Sequence, residues 1–120
     1  MSTLVAQTIS NGTVSTSSAN VIQGSAKAWV NYNASSQTIR ASYNVSSVTY
    51  TNTGRFTINM TNAMTDVNYA VVVTAAIDQA SQASFQETTN FTRTTSAFAI
   101  SILVAGGYNN PTNTSVAVFR

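Results

Sequence analysis

Asp66, Asp78 and Glu87 are the only carboxylates in the chain, so any acid–base chemistry would have to come from them. A glycosidase-type reaction needs two such groups, one to protonate the leaving oxygen and one to activate water or attack the sugar. These three stand apart among turn residues and strand ends, where a lone acid is ordinarily solvated. The chain has no histidine and no cysteine. That removes a Ser–His–Asp triad, thiol catalysis, disulfides and zinc–thiolate sites together. Gly106-Gly107 opens no helix and fits no phosphate-binding loop, so it reads as a turn. No acid-rich spacing suggests a calcium loop. The residues therefore predict a protein that is not an enzyme and uses no cofactor or metal.

The remaining charge excludes further classes. Net charge is +2 over 120 residues, and Lys27, Arg40, Arg55, Arg93 and Arg120 are scattered. Nucleic-acid binding requires a concentrated basic footprint, which is missing despite a pI near 9.3. Ser, Thr and Asn make up about two-fifths of the residues, well above ordinary usage, so hydroxyls and amides must supply the solubility that charge does not. The most apolar stretch, around residues 69–77, is too short to cross a bilayer, and no membrane insertion is expected. The opening MSTLVAQTIS lacks a basic n-region and a long apolar run, so the expectation is a protein made in a cytoplasm without a cleaved leader.

Apolar residues alternating with polar ones at period two, bounded by Gly, Asn and Ser, supply the framework. Residues 25–33 place Ala28, Val30 and Tyr32 on one face, with Lys27, Trp29 and Asn31 on the other. Residues 37–45 put Ile39, Ala41, Tyr43 and Val45 together. The parity then slips around Ser46-Ser47, so that Val48 and Tyr50 carry the apolar face, which marks a bulge or corner. Residues 50–56 form a hairpin with Gly54 at the turn, and Phe56, Ile58 and Met60 return. Two weak strands are expected near 83–89 and 91–94, a clear one over 97–104 and a last one over 115–119. No useful helical period appears. Roughly seven to nine short strands predict an all-β fold, a small antiparallel β-sandwich spanning 25–120 with an extended N-terminal arm over 1–24.

Three groups of residues are candidates for contacts. The arm carries apolar islands, Leu4, Val5, Ile9, Val21 and Ile22, in a Ser/Thr/Asn background that suits docking on another surface. In residues 69–77 neither face is strongly polar, which suggests cover on both sides, the second supplied by another subunit. Tyr69, Val71, Val72, Val73 and Ile77 are thus candidate oligomer-interface residues, together with the single Trp29. The long loop 105–114 presents Tyr108, Asn109 and Asn110, an aromatic ring with amides suited to sugars or protein surfaces. Gly, Asn and Pro also dominate ordinary turns.

The strings SAKAWVNYN, IRASYNVSSVTYTNTGRFTINMTNAMTDVNYAVVV and SVAVFR together resemble a recurrent domain of marine bacteriophage virion proteins. Related chains carry AKAWVNF, IRASFNVSS, YTVNFTxAMPDANYAV and a closing VAVFR in the same order. Here Tyr32 stands for the Phe, Thr65 for the Pro, and Arg55 where Asp is common after the hairpin Gly. Residues 78–113 show no likeness. Members are described as tail-fibre or other appendage proteins. The resemblance implies a virion structural protein: a homotrimeric short appendage, either of tail-fibre type or a capsid decoration or head fibre. Its expected partners are itself, other capsid or tail proteins and a host-surface glycan or protein. The alternative is a free-standing carbohydrate-binding or weak polysaccharide-degrading module.

Overall fold

In the computed structural model residues 1–76, 91–104 and 107–120 are described in full, with the course of the chain over 83–87. The arm holds more than extended chain. Strands β1 (Thr8–Ser10) and β2 (Ser15–Ser17) pair as a hairpin around Gly12, whose φ of +93° suits the absence of a side chain. Helix α1 (Ser18–Gly24) follows at once. It has no apolar repeat long enough to announce it. Its signal is local: Ser17 is the N-cap, and its hydroxyl accepts from the Asn20 N–H at 3.2 Å. No residue of α1 is buried.

The body is a sandwich of two antiparallel sheets. One has the order β4 (Thr38–Tyr43), β3 (Ala28–Asn33), β11 (Asn113–Phe119), β7 (Ala70–Ala76). In the other, β9 (Ala97–Val104) pairs with β6 (Arg55–Met60), β8 (Ala83–Glu87) and β10 (Gly107–Tyr108), and β6 pairs with β5 (Val45–Asn52). The alternation that predicted β3 and β6 is what builds the core. Ala28, Val30 and Tyr32 from the first sheet face Phe56, Ile58 and Met60 from the second, joined by Phe98, Ile100, Ile102, Val116 and Val118. Tyr32 meets Phe56 edge-on, with ring centres 5.6 Å apart, and Tyr69 meets Phe98 in the same way at 5.8 Å.

The parity slip has two parts. Asn44 takes a left-handed φ of +53° and carries the chain from β4 in one sheet to β5 in the other. Its side-chain N–H₂ donates to the Lys27 and Asn62 carbonyls at 3.0 and 3.2 Å, and its oxygen accepts the Asn62 N–H at 2.8 Å. Asn is among the few residues that tolerate this conformation, and here these three neighbouring groups hold it there. A bulge at Ser46 then restores Val45 and Val48 to the core side.

In β4 the expected face does not survive. The pairing of β3 with β4 shifts between Asn31 and Tyr32, leaving Arg40 as the extra residue. Ile39 packs against the core, whereas Ala41 and Tyr43 are turned out. β9 differs too, being buried on both faces from Phe98 to Ile102 rather than on one. Residues 91–94 form no strand.

Candidate functional site

Strand register lays out the outer face of the β4–β3–β11–β7 sheet. Tyr43 stands opposite Trp29, Trp29 opposite Ala117, and Ala117 opposite Val72, forming one row across four strands. Trp29, Tyr43 and Val72 are 40, 58 and 53% exposed, an apolar row left open to solvent. The next row is polar. Asn31 donates to Ser115 Oγ at 3.1 Å and to Asn113 Oδ1 at 2.8 Å, and its own oxygen lies 3.5 Å from the Arg40 guanidinium. A shallow depression of about 310 Å³ lies over Trp29, Asn31, Val72, Thr74, Ser115 and Ala117.

The predicted interface residues divide on this face. Trp29 and Val72 lie on it. Tyr69 does not: it is buried in the core, with its hydroxyl donating to the Thr94 carbonyl at 2.8 Å and the Arg93 guanidinium over its ring. Val71 and Val73 are turned inward against the core. The interface expectation for these three is corrected by the same alternation that suggested two covered sides: one side is covered by the protein's own second sheet. Ile77 lies outside the described residues. Tyr43 was missed as a surface residue because the bulge at Arg40, which turns it outward, leaves no trace in period-two counting.

At one end of the sandwich, loop residues 108–110 close on the β5–β6 hairpin. Gly54 has φ +65°, and a Cβ there would lie 2.6 Å from the Ile102 carbonyl oxygen, so only glycine fits. The Gly54 N–H donates to Asn110 Oδ1 at 2.7 Å, and the Asn109 N–H to the Ile102 carbonyl at 3.1 Å. Of the three loop residues proposed for contact, Asn110 thus fastens the hairpin and Asn109 ties the loop to β9. Tyr108 is the one presented to solvent, with the Arg55 guanidinium 4.2 Å from its ring centre and bonded to its hydroxyl at 2.6 Å. Arg55, unassigned from the sequence, is part of this tip.

The arm is the third feature. Leu4, Val5, Ile9, Val21 and Ile22 are all exposed, as is Val14. Between α1 and the body lies a groove of about 790 Å³, bounded by Ile22 and Gln23 on one side and by Tyr43, Asn62, Met64 and Arg120 on the other. Lys27 spans its base, donating to the Ile22 carbonyl and, at 3.1 Å, to the Ser25 carbonyl.

Of the three carboxylates, Asp66 is engaged by Arg120. Arg120 Nε lies 3.0 Å from Oδ1, its terminal nitrogen bonds Oδ2, and the Asn68 N–H donates to Oδ1 at 2.7 Å. The Arg120 hydrogen bonds, then the Asn68 amide, hold the Asp66 carboxyl below its ordinary pKa. Asp78 lies outside the described residues, as does the side chain of Glu87. Among the described residues no three His, Cys, Asp or Glu side chains converge as metal ligands, and no helix is long and apolar enough to cross a membrane. Scans against protein-family models, curated proteins and solved structures give no significant match.

Proposed function

We propose that this protein is a non-enzymatic structural component of a bacteriophage particle, a short surface appendage that associates with itself, as a homotrimer, and with other virion proteins. The observation that carries this reading is the arm. Its apolar side chains are exposed throughout, while the body closes a complete core without them. A seven-residue helix and a hairpin of three-residue strands are marginal on their own in water, so such a segment is built to order against a partner. The virion assignment itself rests on the resemblance of the AKAWVNY, IRASYNVSS and VAVFR strings to marine phage appendage proteins. Among the described surfaces, the exposed Tyr108 with its stacked Arg55 is chemically suited to a host glycan or protein, because an aromatic ring beside a cation stacks on sugars and on peptide planes.

Localisation on purified particles tests the reading. Antibody labelling or electron cryo-microscopy is expected to find the protein at the capsid or tail surface, and deletion of residues 2–22 is expected to abolish incorporation while the β fold remains. Absence from particles would overturn the proposal. Incorporation of the truncated protein would remove the arm as the anchor.

A further inference from the structure

Sheet edges carry unpaired N–H and C=O groups and accept another strand unless something blocks them. Three edges can be compared in this body. β4 contains Arg40 and the bulge opposite Asn31/Tyr32. β5 is irregular at two places, near Ser46 and near Thr51. β7, by contrast, reads AVVVTAA: seven residues with no charge, no proline and an unbroken register along β11. Among the described residues β11 is its only strand partner. Among the described residues two edges are interrupted along their length, and this one is met only just before its start, where Arg93 donates to the Tyr69 carbonyl.

The same chain carries a segment suited to fill it. Residues 2–7, STLVAQ, belong to no strand or helix, have no charged side chain, and expose Leu4 and Val5 by 92 and 88%. Extended, six residues reach about 20 Å, close to the roughly 23 Å of a seven-residue strand.

We propose that the open edge of β7 takes residues 2–7 of a second copy as an added strand. This rests on the self-association in the reading above and names its contact. Main-chain hydrogen bonds supply the affinity, as in other strand additions, and Leu4 lands beside Val72 to lengthen the apolar row through Ala117, Trp29 and Tyr43. A second copy is favoured over the chain's own arm by position. In this chain the arm joins the body at the start of β3, where the Lys27 N–H bonds the Val118 carbonyl, and residues 2–7 lie clear of the body with Leu4 and Val5 exposed, so the chain's own β7 edge goes without them. Donor and acceptor are different surfaces of the chain and so make a head-to-tail contact, the kind that closes into a ring when the rotation allows.

The chain's lack of cysteine makes the test clean. Purified Leu4→Cys protein is mixed with purified Val72→Cys protein and oxidised. The expected product is a disulfide between the two, in excess of either like-with-like product. Like-with-like products alone, or none, would overturn the proposal. In parallel, light scattering on the full chain is expected to give a multiple of 12.7 kDa. The double variant Val72→Lys/Thr74→Lys and a chain lacking residues 2–7 are each expected to give the mass of a single chain with the β-sheet circular dichroism of the full chain. A monomeric full chain, or variants that keep its mass, would sink the contact. Should the lysine variant unfold, the cysteine pair decides alone, since both of its positions are exposed. Failure to find the protein on particles would strike the virion role and leave this contact standing.

Discussion

β7 and β9 are the two most apolar strands in the body, with nearly the same kind of sequence, AVVVTAA and AFAISILV. β9 lies inside its sheet, flanked by β6 and β8, and both of its faces are buried from Phe98 to Ile102. β7 lies at the end of its sheet. Only its inward residues pack on the core, while Val72 and Thr74 are exposed. Hydrophobicity alone does not tell these strands apart. A strand can be apolar because its own chain surrounds it, or because it awaits something from outside.

Mutations can break that contrast. Phe98→Ala removes a fully buried ring in contact with Tyr69 and is expected to cost about 3–5 kcal/mol, read as a large drop in the denaturant midpoint. A cost below about 1 kcal/mol would mean that β9 is not the centre of the core. Gly54→Ala comes next. It strains a positive φ and drives a methyl into the Ile102 carbonyl, whose own N–H donates to the Gly54 carbonyl at 2.7 Å. We expect about 1–3 kcal/mol by chemical denaturation. Val72→Lys, on β7, is expected to change monomer stability by no more than about 0.5 kcal/mol, because the side chain reaches straight into water. A loss like that of Phe98→Ala would show β7 to be buried on both sides after all.

The smallest effect concerns Asp66. Its carboxyl pKa is lowered in the folded state, so its stabilising contribution is present above the unfolded value. That contribution is lost as pH falls through the folded value. Asp66→Asn should therefore flatten the acid limb of the stability–pH curve by lowering the neutral and alkaline plateau, and leave the most acidic region unchanged. An unaltered acid limb would mean that the exposed Arg120 pair adds nothing measurable.

Much of this architecture is visible residue by residue. Phe56, Ile58 and Met60 announce a half-buried strand, Gly54 its turn, and the slip near Ser46 a bulge or corner. These signals are local, since a strand's period and a turn's glycine depend on few neighbours. What could not be read depends on partners far along the chain. Ala41 and Tyr43 turn outward because of a bulge defined only by the pairing with β3, and Tyr69 is buried by Phe98. α1 was invisible because it packs on nothing in its own chain and its only mark is the Ser17 cap. Among the proposed contact residues, Trp29 and Val72 stood out by type and lie on the surface. Asn110 was singled out as a loop amide and turns out to hold the hairpin in place.

One feature of the sheet order bears on how the protein comes to exist on a ribosome. β11, the last strand, lies between β3, the first strand of the body, and β7. Until it emerges, β3 and β7 have no common neighbour, and Val30, Tyr32 and Tyr69 have no finished sheet to bury them. The β5–β6–β9 sheet can pair before β11 is made, but the sheet that faces it closes only with β11, a topology that folds slowly because its pairings span the chain.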